Sequence, residues 1–147
     1  MKRPLVLAAL LLVGITSIAS SQAPQTSAPY VPDPANFTGK VTASSSDDVR
    51  AIRLAFEAGA RTNWHSHAGG QVILVEKGTL VVQERSGSGN GPGREFKARQ
   101  AYTVDANVAH WHGARPGEPL TQVAFSFGAT KWLEKVTDQQ YSAVSKK

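Results

Sequence analysis

After Phe37 the chain alternates apolar and polar residues in short runs bounded by turn residues, which is the pattern of antiparallel strands. Ile52, Leu54 and Phe56 alternate with Arg53, Ala55 and Glu57, and Glu57-Ala58-Gly59-Ala60 closes that run. Gln71 to Val75 is a short apolar strand stopped by Glu76-Lys77-Gly78, and Leu80 to Glu84 returns from the turn. Arg94 to Arg99, Ala101 to Val104, Val108 to His112 and Gln122 to Phe127 supply further strands. Four glycines within Ser86 to Gly93 mark an open surface loop joining two of them; it lacks the Lys-Ser/Thr ending and the strand-to-helix setting of a phosphate loop. Only the tail reads as helical, with Thr137 or Asp138 capping a short turn through Tyr141 to Val144. Strands recurring every ~8 to 12 residues predict an all-β domain, a small sandwich or barrel, and no internal repeat is visible.

The first 36 residues do not follow this pattern. Met1-Lys2-Arg3 is a basic start, Leu5 to Val13 is apolar, and Ser21-Gln22-Ala23 offers a small-x-small cut, the layout of a secretory signal peptide over residues 1–23. The apolar run is shorter than the ~20 residues of a membrane span. Residues 24–36 hold Pro24, Pro29, Pro32 and Pro34 among Ser, Ala and Gln and read as a flexible leader, so the folded domain is expected over 37–147. With 147 residues there is room for one domain. Export implies a secreted or periplasmic protein free of the membrane once the signal is cut.

Charge and cysteine content remove several functions. Formal net charge is +5, but losing Lys2 and Arg3 leaves 14 basic residues against 11 acidic ones, scattered and without an RNA-binding aromatic motif. Nucleic acid is not an expected partner. With no cysteine there is no thiol nucleophile, thiolate metal site or disulfide, so a metal must use imidazole, carboxylate or amide oxygen.

All four histidines fall in two segments, Trp64-His65-Ser66-His67 and His110-Trp111-His112. In a strand, residues two apart share a face, so each His-x-His pair projects two imidazoles to one side while Trp64, Ser66 and Trp111 face the other. Two such pairs in a chain with no other histidine point to a metal site, because imidazole is the commonest neutral ligand for Zn, Mn, Fe, Ni and Cu. Ser66 faces away from the histidines and no acid completes a hydrolytic triad. Trp64 and Trp111 suit core or subunit packing; Arg53 and Arg61, candidates to guide an anion, read as solvated.

The spacing Gly59, five residues, His65, one residue, His67, three residues, Gln71, six residues, Gly78 resembles the first cupin motif, and Asp105-Ala106-Asn107-Val108-Ala109-His110 resembles the second. The resemblance covers about Arg50 to Phe127 and implies a cupin-type antiparallel β-barrel, a double-stranded jelly roll, with one divalent metal on His65, His67, Gln71 and His110. Ala68-Gly69-Gly70 is small enough for the backbone to bend so that Gln71 rejoins the two histidines. Two departures stand out: Gln71 replaces the usual Glu, and Asp105-Ala106-Asn107 replaces the usual Pro-x-Gly. Three neutral imidazoles and an amide leave a divalent ion its full charge, which favours Lewis-acid and anion-binding behaviour.

His-x-His-x3-Gln, then His110-Trp111-His112-Gly113-Ala114, Trp132, Val136-Thr137-Asp138 and Gln140-Tyr141, is similar to the small bacterial cupins that include the manganese-dependent hydroxynitrile lyases. That implies manganese first, with Fe, Ni or Zn behind it, polarising a small hydroxyl or carbonyl compound while a base handles the proton. A further active-site histidine of those lyases corresponds to Gln122, which cannot take a proton. His112 is then the remaining candidate base, with a supporting role on the ligands as the alternative. Dioxygenase chemistry and non-catalytic metal or ligand binding are the competing functions. The resemblance also implies barrels that pair through their sheets, and an apolar sheet face carrying Trp111 suggests a homodimer or higher homo-oligomer.

Overall fold

The structure, a computed structural model, describes residues 48–145 and, before them, residues 31, 33–36, 38 and 40–42. The expected signal peptide and most of the leader lie outside the described residues. The chain divides after Ser44. In the part before it, a 3-10 turn spans Pro34–Asn36, with the Ala35 N–H donating to Asp33 Oδ1 at 2.9 Å.

The part after it is all β apart from one helix. Its strands are β1 (Val49–Phe56), β2 (His65–His67), β3 (Gln71–Lys77), β4 (Thr79–Ser86), β5 (Gly89–Asn90), β6 (Arg94–Lys97), β7 (Ala101–Val104), β8 (His110–Ala114), β9 (Leu120–Phe127) and β10 (Thr130–Trp132), followed by helix α1 (Asp138–Val144). One sheet has the order β1-β9-β3-β7; the other runs β10-β2-β8-β4, with β5 and β6 both paired to β4. Every pairing is antiparallel, as the alternation requires. This is the all-β double-sheet jelly roll the sequence predicts.

Register explains which residues share the interior. Arg50, Ser126 and Gln71 lie in one row across β1, β9 and β3; Ile52, Ala124 and Ile73 form the next, and Leu54, Gln122 and Val75 the third. The β9 side chains alternate between buried and half-buried along the strand, because one face looks inward and the other outward. Ile73, Val75, Leu80, Val82, Tyr102, Val104, Ala114 and Leu120 close one end of the interior as an apolar core. The polar first row and the histidines hold the other end.

Within the six-stranded sheet β2, β8 and most of β4 are buried on both faces. Its outward residues Trp64, Val81 and Trp111 pack under Val136 and Tyr141. Helix α1 is set there by a capping box between Thr137 and Gln140 and by the Tyr141 hydroxyl, which donates to Ala114 O at 2.7 Å. Arg61 is therefore not a solvated guide: it pairs with Asp138 and lies over the Tyr141 ring at 4.5 Å. The reason given for dimerisation is also corrected, since the sheet face carrying Trp111 is covered by the chain's own tail. The face that carries exposed apolar side chains belongs to the four-stranded sheet, where Val72, Leu74, Val123 and Phe125 point outward and Leu74 is 43% exposed.

Several boundaries differ from the expected ones: β1 starts at Val49, β3 runs to Lys77, β4 spans Thr79–Ser86 and β9 starts at Leu120. The strand from Arg94 stops at Lys97, because Arg99 takes a left-handed φ of 74° in the following turn. The strand expected from Val108 starts at His110, after Asn107 at φ 63°. The glycine-rich loop is not wholly open, since Ser86 and Arg85 pair with Gly89 and Asn90. Replacing Trp111 by Ala should cost about 3–5 kcal/mol in urea unfolding of the monomer, the range for emptying a buried aromatic site. An unchanged monomer stability, with only self-association lost, would mean that Trp111 does not pack within its own chain.

Candidate metal centre

β2 and β8 lie side by side with His65 directly opposite His110, so the inward faces of the two strands bring His65, His67, His110 and His112 together. Gln71 reaches them because the chain crosses from one sheet to the other in three residues. At Gly70 the backbone has φ +89° and a Cβ would sit 2.6 Å from the Val104 carbonyl oxygen; at Gly69 it would meet Phe127 Cβ at 2.8 Å. Glycine alone fits both places. Asn107 does the corresponding work ahead of β8, since asparagine tolerates the left-handed region and its N–H donates to His67 O at 2.8 Å. That is how Asp105-Ala106-Asn107 makes the turn without Pro-x-Gly.

Hydrogen bonds fix the tautomers. His65 Nδ1 lies 2.9 Å from Asn63 O and His110 Nδ1 lies 3.0 Å from Val108 O. A carbonyl only accepts, so both rings carry their proton on Nδ1 and aim the Nε2 lone pair inward. His67 Nδ1 meets the Thr130 hydroxyl at 3.0 Å, and its buried Nε2 has no hydrogen-bond partner. His110 Nε2 faces Gln71 Oε1 at 3.1 Å while Gln71 Nε2 donates to Ser126 Oγ at 2.9 Å. Two lone pairs thus confront each other. Turning the amide over would pair it with His110 and still leave His67 Nε2 bare, so no rearrangement of Gln71 completes the site. A cation answers both defects. The ligating atoms of His65, His67 and His110 lie within 4.8 Å of one another, and these three histidines can hold a metal ion.

Burial keeps the donors neutral. It pushes His110 down to about 3 and His67 to about 4, with neighbouring imidazoles adding to the effect and, at His67, also Arg50. His65 is lowered by burial against the opposing pull of its bond to Asn63. His112, wholly buried, is pushed well below its usual value for the same first reason. Metal binding at neutral pH therefore has no proton to displace from these rings.

Beside the histidines is a cavity of about 50 Å³. Ile52, Leu54 and Ala124 form its apolar wall, Ser126, Thr62 and Gln71 supply polar groups, and Arg50 and Trp132 line it from β1 and β10. Trp132 is 58% exposed and its ring centre is 4.9 Å from that of His65. His112 also lines the cavity; its Nδ1 lies 3.3 Å from Gln122 Nε2, and its backbone N–H donates to Thr62 Oγ1 at 3.1 Å. Arg53, expected as a possible anion guide, lies on the outer face paired with Glu76 at 2.8 Å. Arg50 was the arginine to notice: carrying the Ile52, Leu54, Phe56 alternation one step back puts it on the inward face. Thr130 carries no such signal, because β10 is too short to show a period.

Comparison with known proteins agrees with this architecture. The cupin domain profile matches residues 52–125. An (R)-mandelonitrile lyase from Granulicella tundricola is 34% identical over 97 residues, covering 63% of this chain and 71% of the lyase. A cupin-like protein from Thermotoga maritima superposes with a TM-score of 0.62 at 37% identity, over 67% of this chain and 74% of its own. The DMSP lyase DddQ from Ruegeria pomeroyi shares the fold, with a TM-score of 0.52 at 14% identity over 63% of this chain and 47% of its own.

Folded-state histidines with lowered pKa bind protons only at low pH, whereas the unfolded chain takes them up near pH 6.5, so stability is present above that value and is lost as pH falls. Urea midpoints of the metal-free protein should decline between about pH 6.5 and about pH 4, by roughly 1.4 kcal/mol per pH unit for each histidine still neutral in the fold. His67→Gln should flatten that slope; an unchanged slope would place the proton uptake elsewhere.

Proposed function

The chain belongs to the cupin family, and we propose that it holds one divalent metal on His65, His67, His110 and Gln71 and uses it in a lyase-type reaction on a small hydroxyl or carbonyl compound. Manganese is the first choice of metal, with iron, nickel and zinc behind it. The observation that carries this reading is the confrontation of His110 Nε2 with Gln71 Oε1 beside the bare Nε2 of His67. Bound there among neutral donors, a divalent ion supplies undiminished Lewis acidity to an oxygen of the substrate.

The remaining residues orient and exchange a proton. Ile52, Leu54 and Ala124 keep water from one side of the cavity, and the Ser126 and Thr62 hydroxyls offer hydrogen bonds. His112 is the imidazole left for proton transfer, and Gln122 decides which of its nitrogens is free. As placed, Gln122 Nε2 approaches His112 Nδ1 and the buried Gln122 Oε1 has no partner. Rotating that amide lets Oε1 accept from Nδ1–H, which frees Nε2 of His112 as a base. In a cyanohydrin cleavage the base takes the hydroxyl proton, the C–CN bond breaks, a carbonyl forms, and cyanide leaves with the electron pair to be protonated. The (R)-mandelonitrile lyase relative makes mandelonitrile the first substrate to try.

Two further parts of the reading rest on sequence and surface. The basic start, apolar run and small-x-small site of residues 1–23 support a cleaved signal and a secreted or periplasmic protein. The outward apolar side chains of the four-stranded sheet support pairing of two copies through that face.

Metal analysis of the purified protein should find close to one equivalent of metal, lost in His65→Ala/His67→Ala. The loaded protein should release benzaldehyde from mandelonitrile, with a loss of about a hundredfold or more in His112→Phe, the size of a general-base contribution. Gln71→Glu should weaken that turnover by reducing the ion's charge. Oxygen uptake that rises in Gln71→Glu would favour the dioxygenase alternative instead. Metal binding with neither turnover would favour a non-catalytic binder, the reading that Gln122 at the position of a lyase histidine supports. No metal uptake at all defeats the proposal.

A further inference from the structure

We propose that Trp132 is the residue that sets specificity by shape: its indole, at the mouth of the histidine cavity, takes a flat unsaturated group carried by the reacting carbon and discriminates against saturated groups of the same size. This rests on the metal-centre reading and adds to it the residue that chooses the substituent.

β10 is an edge strand of three residues, and its register decides what each of them does. Thr130 lies opposite His67, Lys131 opposite Ser66 and Trp132 opposite His65. Residues two apart share a face, so Thr130 and Trp132 turn to the histidine side and Lys131 to the other. Thr130 is spent on the His67 ring. Trp132 lies beside His65, with the ring planes at 41°. The chain has three tryptophans, and Trp64 and Trp111 are wholly buried beneath the tail. Trp132 belongs to neither apolar cluster of the interior; it lines the cavity and is also more than half open to solvent.

The size of the cavity places the substituent on that ring. Its volume is about 50 Å³, against roughly 150 Å³ for an interior pocket that holds benzene. A hydroxyl or carbonyl carbon with its oxygen fits beside the histidines, and a six-membered ring does not. Arg50 and Trp132 are the exposed residues of the cavity lining, contributed by the edge strands β1 and β10, so they mark its mouth. A group too large for the cavity leaves through the mouth and meets the indole. There a flat ring gains an offset or edge-on aromatic contact beyond the area it buries, while a saturated ring gains the area alone.

Chemical-shift titration of the zinc-loaded, nitrogen-15-labelled full chain tests this, with benzyl alcohol and cyclohexylmethanol as probes of equal size. Benzyl alcohol should bind about two- to tenfold more tightly, the worth of one aromatic pair beyond its area. It should shift the Trp132 indole N–H resonance and leave those of Trp64 and Trp111 in place. Trp132→Leu, which keeps an apolar side chain without a ring, should make the two affinities equal while retaining the metal equivalent. Trp132→Phe should retain part of the preference. Leu74→Ala, on the outer face of the other sheet, should leave it intact. Loaded protein that binds the two alcohols alike, or neither, overturns this inference alone, as does a preference that survives Trp132→Leu. A Trp132 resonance that moves with protein concentration and not with benzyl alcohol overturns it in favour of a second copy on the ring. Metal lost from both Trp132 variants overturns it in favour of a support for His65. Wild-type protein that loads no metal overturns the metal reading and this inference with it.

Discussion

The interior of this barrel is organised around lone pairs that have no hydrogens to meet. His65 and His110 spend Nδ1 on the carbonyl two residues before them and His67 on the Thr130 hydroxyl of the neighbouring β10, and this leaves Nε2 directed inward. Burying the His67 Nε2 without a partner costs on the order of 1–3 kcal/mol. A chain selected for stability alone would place apolar residues at these positions, as it does in the neighbouring rows through Ile73, Val75, Leu80 and Val82. Protonation offers no relief, since the same burial depresses each pKa. The coordinates of the site therefore depend on the surrounding packing, and the histidines remain where a cation would complete them.

That packing explains why β2 and β8 are buried on both sides. Holding His65, His67, His110 and His112 in fixed directions requires that β2 and β8 not twist or fray, yet β2 is only three residues long. The outward Trp64 and Trp111 act as anchors on the reverse face, gripped by Val136, Tyr141 and the capped helix α1. Inward chemistry and outward packing alternate residue by residue along His65–His67 and His110–Ala114. The tail, far from the cavity in sequence, thus sets the rigidity of the ligands.

Much of this was legible because the strand period of two is a strong signal where it repeats. It gave the inward direction of both His-x-His pairs, the opposite direction of the tryptophans, most strands and the capped turn at Thr137. It failed where the period had too little length to show itself or where partners come from elsewhere in the chain. β10 is three residues, so Thr130 beneath His67 and Trp132 beside His65 carried no pattern. Arg50 sat one step before the run that was read as a strand. The cover over Trp111 was read as a possible second chain because sequence periodicity reports that a face is apolar and not what lies on it. Strand ends at Lys97 and His110 were set by left-handed residues Arg99 and Asn107, whose conformation is a local choice that neither residue type compels.

Gln71 and Gln122 show how amides alter a site built on imidazole. A glutamate at 71 would accept from Ser126 and partly neutralise an ion, while still setting an acceptor oxygen against His110 Nε2. The amide instead donates to Ser126 Oγ with one atom and presents a neutral oxygen with the other. It orients without compensating charge. Gln122 does the same for His112, fixing a tautomer that its rotation can reverse, where a histidine would bring a titrating group of its own. Both substitutions leave geometry and remove negative charge or basicity, so the cavity's field is set by what enters it. For a site of this kind the identity of the ligand follows from charge balance as much as from shape.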